Sequence, residues 1–349
     1  QVSFMYILRD TPVTLFFQNP ISEIWNMGQS IAVGSLHVIL IYFFISIIFL
    51  FNALAFIPLG HLVARLMLNT DPLKAYSYDL LGAIAGIVLF TILSFLWTGP
   101  TVWLIISFSI LIFFQFNLKL NIKFSCITFV ILILSLNIFN DTSKMDLHSP
   151  YQNVSVKFNN NQLVPITVQS NNIWLQTPID LSNEINQKKN SDWHKFYIIP
   201  FTSTNYNFKD ILIVGSGTGN DVATAIRNSK GNIDAVEIDP LVANLGEKFH
   251  PENPYSNSRV NLIINDARNF IKEIDKKYDL IVYSVLDSHA NLSSKGGVRL
   301  DSYVYTVESF FEAKKKLNEN GVMFLSFAVS TEQMGNKIYK MLKMNFDNE

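Results

Sequence analysis

The chain has a single cysteine, Cys126, among its 349 residues, which excludes an intrachain disulfide. No Cys/His cluster has metal-ligand spacing either, so no metal is expected and a reducing compartment is allowed. Charge is also scarce, and unevenly so. Of 27 Lys and Arg, only Arg9, Arg65, Lys74, Lys119 and Lys123 precede residue 141; of 28 Asp and Glu, only Asp10, Glu23, Asp71 and Asp79 do. A net charge of −1, with no basic stripe interleaved with aromatics, leaves no electrostatic footprint for nucleic acid.

What fills the uncharged part is long apolar sequence. Gly34 to Gly60 has no charge apart from His37, and it exceeds the ~20 apolar residues that cross a hydrocarbon core. Leu80 to Phe116 is longer still and is broken at Thr98-Gly99-Pro100, which reads as two spans joined by a turn. Phe124 to Phe139 is a fourth, shorter candidate. Residues 1–145 are therefore expected to form an α-helical multi-span membrane region of about four helices.

The first residue is Gln1 and the last are Asp347-Asn348-Glu349, and the chain is read as truncated at both ends. Arg65, Lys74, Lys119 and Lys123 fall in the loops that four spans would place on one face, so the positive-inside tendency favours the other face for the C-terminal part. These four residues do not decide the orientation, and the expectation is an integral inner or plasma membrane protein with its C-terminal domain in the cytoplasm. Asp79 sits at the mouth of the second span, as a carboxylate favoured by the helix dipole or as a transport residue. Gly82 and Gly86 form a small-xxx-small pair suited to helix packing.

The ionisable residues concentrate after residue 146. Short alternating runs, such as Tyr151 to Val156 and Leu163 to Val168, make residues 146–205 a small antiparallel sheet. Residues 206–349 alternate strand and helix patterns, with strands at Ile211–Gly215, Ile233–Ile238, Val260–Asn265, Tyr278–Val285 and Val322–Phe327. Five strands with intervening helices argue a doubly wound, parallel α/β sheet, whose ligands collect outside the carboxyl ends of the strands.

Three features meet at those ends. Gly215, Gly217 and Gly219 close the first strand and let the backbone approach a ligand; their G-x-G-x-G spacing differs from the dinucleotide fingerprint and gives less reason to expect a pyrophosphate. Glu237, ending the second strand about 20 residues later, can accept both hydrogen bonds of a ribose diol. Asp266, ending the third strand, can accept from an adenine amino group. Together they describe a nucleoside site.

The segments VGSGTGNDVATAIR, VEIDP, HPENPYSNSRV, NDARNF, YDLIVYSVLDSHA and YVYTVESF resemble the polyamine aminopropyltransferase (spermidine/spermine synthase) family. The resemblance is strongest to its members fused to multi-span membrane regions, whose membrane part DLLGAIAG also resembles. It implies a class I S-adenosylmethionine-type, Rossmann-like domain with a small N-terminal β-sheet. It also implies decarboxylated S-adenosylmethionine, or S-adenosylmethionine itself, as co-substrate, with Gln152, Glu237, Asp266 and Ala267 lining the adenosyl site.

Two positions depart from the family. Where soluble members carry a glycine-loop acid for the donor's amine stands Thr218, and where they carry the first acid of Asp-Ser-Ser-Asp stands Ser284. A primary amine of pKa about 10 is protonated at neutral pH and needs a base before it can attack. The candidates left at the fourth strand are Asp287, to hold or deprotonate the acceptor amine, and His289, whose pKa suits general base work. A capping Asp287 and a solvated His289 are the plainer reading of the same residues. Asp221, at the start of the helix after the glycines, is read either as a substitute for the missing loop acid or as a first-turn acid serving the dipole. The leading expectation is a membrane-anchored aminopropyltransferase acting on a small amine, with the lipid bilayer as partner and a homo-oligomer allowed. The alternatives are an S-adenosylmethionine-dependent methyltransferase and a non-catalytic membrane sensor or transporter that binds an adenosyl ligand.

Overall fold

The computed structural model describes residues 35–117, 122–138, 144–170, 173–204, 206–286, 304–327 and 332–346. The chain divides into two compact units, 1–142 and 143–349.

The first unit is helical: α1 (Ser35–Leu68), α2 (Pro72–Phe95), α3 (Pro100–Asn117) and α4 (Lys123–Ile138). Helices α2 and α3 are long and apolar enough to cross a membrane, while Tyr42–Leu54 of α1 and Ser125–Leu134 of α4 are shorter apolar stretches. The break between α2 and α3 falls at the turn read from Thr98-Gly99-Pro100. Helix α1 runs past Gly60 to Leu68, and Arg65 and Lys74 lie in helices rather than in a loop. The reason is a cap: Asp71 accepts from the amides of Leu73 and Lys74 at 3.1 and 3.3 Å, with Pro72 starting α2. Asp71 also takes the helix-terminal role considered for Asp79, which lies two turns further in and is exposed. A Cβ added at Gly82 or Gly86 would meet nothing within 4 Å, so the small-residue pair packs no described helix.

The second unit opens with an antiparallel sheet in the order β1 (Lys144–His148), β2 (Asn153–Asn161), β3 (Val164–Ser170), β4 (Ile173–Gln176). The sheet ends there; the remainder up to residue 205, read from sequence as more sheet, forms helices α5 (Glu184–Lys189) and α6 (Ser191–Thr202). The side chain of Asn183 caps α5 through the Asn186 amide, and Tyr197 of α6 is buried, a helical pattern that the polar composition obscures.

The larger sheet comprises β5 (Asp210–Val214), β6 (Asn232–Glu237), β7 (Val260–Ile264), β8 (Tyr278–Tyr283) and β9 (Leu317–Leu325), all parallel, in the order β7-β6-β5-β8-β9. Between the strands lie α7 (Asn220–Asn228), α8 (Pro240–Phe249), α9 (Ala267–Glu273) and α10 (Val307–Lys315), with α11 (Glu332–Phe346) last. Strand β9 begins at Leu317, five residues before its expected start, because Tyr278 and Leu317 already pair.

The apolar runs of β5 and β8 are buried on both faces, as central parallel strands require. Alternate residues serve opposite sides: Leu212 and Val214 pack with Ile271 and Phe310, whereas Ile211 and Ile213 pack with Val222 and Ala225. The small sheet covers α8, with Val154, Val156, Ile166 and Val168 on Leu241, Val242 and Leu245.

Candidate functional site

The strand order reverses between β5 and β8, which opens a crevice at the carboxyl ends of these neighbours. The loop after β5 forms one wall. Gly215, Gly217 and Gly219 all lie in the left-handed region, at φ of 73°, 59° and 104°. A Cβ at Gly217 would fall 2.4 Å from Gln176 Oε1, and one at Gly219 would fall 2.7 Å from Pro254 Cγ. The loop thus needs glycine both for its turn and for close packing.

Glu237 ends β6 and is buried. Its Oε2 accepts from the Gly217 amide at 2.8 Å and its Oε1 from the Asp239 amide at 3.0 Å. Burial pushes its pKa up, and the two amides offset part of that effect. Gln152 does not reach Glu237 directly. Its Nε2 donates to Asp239 Oδ2 at 2.8 Å, and its Oε1 accepts from Ser170 at 2.6 Å. Asp239 also accepts from Ser149 at 2.7 Å and caps α8 through the Leu241 amide at 3.0 Å. A continuous polar chain therefore runs from Gln152 through Asp239 and Glu237 to Gly217.

Asp266 is exposed and caps α9, its Oδ1 accepting from the amides of Arg268 and Asn269 at 2.8 and 3.0 Å. Ala267 is the first residue of that helix. Both follow Asn265, whose amide donates to the Glu237 carbonyl at 3.1 Å. Asp287 and His289 fall outside the described residues.

Several residues that sequence reasoning passed over shape the loop. Both the amide and the hydroxyl of Thr218 donate to Gln176 Oε1, at 2.7 and 2.8 Å, so Thr218 is fully engaged and offers no charge. Gln176 ends a strand about 40 residues upstream in sequence, and no local pattern could join the two. Tyr255 donates to Gly217 O at 2.7 Å, and its burial raises its pKa. Asn220 is a buried hub: its side chain accepts from the Ile179 amide at 3.1 Å and donates to Thr177 O and Tyr197 Oη at 3.0 and 2.9 Å.

His250 Nε2 lies 3.0 Å from Asn220 Oδ1, while its Nδ1 accepts from the Glu252 amide at 3.1 Å. That arrangement requires the neutral ring with the proton on Nε2. Burial, helped by the nearby Arg227, pushes its pKa down to about 3.

Asp221 lies in the first turn of α7, and its carboxylate meets the hydroxyl of Ser284, the residue after β8. Burial pushes its pKa up to about 6, and the Ser284 hydroxyl and the residue's own amide pull in the opposite direction. Tyr305, two residues before α10, belongs to the core: it is buried, stacks edge-on against Phe327 with centroids 4.9 Å apart, and accepts from the Leu286 amide at 3.1 Å.

Residues 194–344 match the family model described as the spermine/spermidine synthase domain. Among curated proteins, the polyamine aminopropyltransferase of Buchnera aphidicola subsp. Acyrthosiphon pisum is 33% identical over 146 residues, covering 40% of this chain and 48% of that protein. The polyamine aminopropyltransferase of Clostridium perfringens is 29% identical over 142 residues, covering 40% and 47%. The chain thus spans about half the length of the curated relatives it matches. A solved spermidine synthase, in complex with the transition state analogue AdoDATO, aligns with a TM-score of 0.46 and 16% identity over 58% of this chain and 64% of that one.

Proposed function

We propose that the protein is a membrane-anchored transferase that moves an aminopropyl group from decarboxylated S-adenosylmethionine to a small amine of the polyamine class. The observation that carries this reading is the glycine loop tied to Glu237, within a segment that matches the spermine/spermidine synthase domain. Glu237 is the acid for the ribose diol, the glycines give the donor close access to backbone, and Gln152 braces Glu237 through Asp239. Asp266 and Ala267 border the adenine end, where the exposed Asp266 carboxylate is available to an amino group. These groups suit a neutral nucleoside with a cationic arm better than a phosphate, which the buried Glu237 beside the loop would repel.

The positive sulfur of the donor makes its neighbouring carbon electrophilic. The acceptor nitrogen forms the new C–N bond, the C–S bond breaks with its electron pair going to sulfur, and neutral methylthioadenosine leaves. The protein's task is to align the two substrates and to take the proton from the acceptor nitrogen. Asp287 and His289 are the proposed base and its partner.

Membrane attachment is supported by the apolar length of α2 and α3 and by exposed apolar side chains on α1, α2 and α3: Phe49, Ile87 and Phe116 are 74%, 67% and 71% exposed. Soluble proteins rarely expose apolar patches of such extent. The proposed setting is the inner or plasma membrane, with the second unit facing the cytoplasm. Extraction of membranes at high pH, followed by protease digestion of sealed vesicles, tests both parts. Release into the supernatant contradicts anchoring, and digestion of the second unit from the outer face contradicts the orientation. Turnover of putrescine in detergent, with the nucleoside product identified by mass spectrometry, tests the chemistry.

A further inference from the structure

We propose that Asp221 and Ser284 form a subsite for a primary ammonium group, placed on the β8 side of the crevice opposite the ribose acid Glu237. The inference rests on the adenosyl reading above and assigns the part of the site that Thr218 leaves vacant of charge. The topology fixes the placement. Val214 and Tyr283 are register partners on neighbouring strands, and the Ser284 amide donates to the Val214 carbonyl at 3.1 Å. The chain leaves β5 through the glycines and offers Asp221 in the first turn of α7, where its carboxylate comes within reach of the hydroxyl of Ser284, the residue that follows β8.

Two independent features mark this point as built for a ligand. Ser284 is 4% exposed, and its hydroxyl makes no hydrogen bond of ordinary geometry among the described residues, although it lies close enough to Asp221 to stabilise the carboxylate. A buried hydroxyl without a full partner is uncommon in a folded protein and invites one. Asp221 is half-buried, and none of the described ion pairs involves it; the groups that feel its charge are Tyr197 and Tyr255, both neutral phenols. A carboxylate drawn out of water beside an acceptor hydroxyl, with no cation paired to it among the described residues, matches the needs of an ammonium: three donors and one positive charge.

The same chemistry could come from the donor's aminopropyl arm or from one end of the acceptor. Binding of methylthioadenosine, which lacks the arm, and of decarboxylated S-adenosylmethionine should be compared by calorimetry for the full chain and for Asp221→Asn, Asp221→Glu and Ser284→Ala, alongside the KM for putrescine. The expected result is that Asp221→Asn binds methylthioadenosine as the parent does but loses about tenfold or more for the decarboxylated donor, as the removal of a charge-assisted contact predicts. Asp221→Glu should recover part of that loss, and Ser284→Ala should show a smaller loss in the same sense. Unchanged donor affinity with a putrescine KM raised by a similar factor would also support the subsite and assign it to the acceptor. Unchanged values for both substrates, or equal loss of methylthioadenosine binding, would overturn it. Parent protein that fails to bind methylthioadenosine would remove the adenosyl reading itself, and the subsite with it.

Discussion

Glu237 accepts a hydrogen bond from the Gly217 amide at 2.8 Å, which links the end of one parallel strand to the middle of the glycine loop that follows its neighbour. A ribose diol that donates to this carboxylate meets a group already oriented by two amides. Glu237→Gln keeps the shape but turns one acceptor into a donor. We expect the parent to prefer adenosine over 2′,3′-dideoxyadenosine by about tenfold or more, and Glu237→Gln to lose that preference. Competition calorimetry checks this; a variant that still discriminates would place the diol elsewhere.

Gly246 lies under the same loop from the side of α8. A Cβ there would stand 2.5 Å from the Thr218 carbonyl oxygen and 2.7 Å from the Tyr255 ring. Because one of these neighbours is backbone, Gly246→Ala should force the glycine loop outward, at a cost of roughly 1–3 kcal/mol. The expected readout is a lower midpoint of thermal unfolding together with weaker binding of methylthioadenosine. Unchanged binding would mean that the loop position does not govern the site.

Much of the second unit was legible because its signals are local. The runs Ile211–Val214 and Tyr278–Tyr283 are apolar on both faces, which only a central parallel strand sustains, and three glycines followed by an acid at the next strand end mark one site. The helices at 184–202 escaped notice because their start is a cap hydrogen bond from Asn183 in a stretch rich in polar residues. The partners Gln176 of Thr218, Asp239 of Gln152 and Ser284 of Asp221 lie far apart in sequence, and only the sheet topology brings them together. The catalytic candidates Asp287 and His289 rest on sequence position alone.

The Asp221 carboxyl titrates near 6, above its ordinary 3.8, so the folded protein holds this proton more tightly than the unfolded chain does. The stability carried by the neutral form is complete below about 3.8 and is lost as pH rises through about 6. Asp221→Asn should therefore be the more stable protein at pH 8, by roughly 1–2 kcal/mol after allowance for partial solvent screening. The gap should close near pH 4. Thermal unfolding of both proteins across that range checks the sign; a variant less stable than the parent at pH 8 would contradict it.

His250 acts in the opposite direction. Its pKa falls from 6.5 to about 3 on folding, so its neutral form supports stability above about 6.5, and that support is lost as pH falls toward 3. At pH 4.5 the loss is on the order of 2–3 kcal/mol. His250→Gln removes the titration, and its stability should fall less steeply than the parent's between pH 6.5 and 4. Parallel acid limbs in the two proteins would show that the ring is not held neutral.

Aminopropyl transfer is tested by giving the full chain in detergent both decarboxylated and intact S-adenosylmethionine, with putrescine as acceptor, and identifying the products by mass spectrometry. Methylthioadenosine and spermidine, formed in equal amounts from the decarboxylated donor, are the expected products. Adenosylhomocysteine formed from the intact donor, or binding of either donor without any product, would contradict aminopropyl transfer.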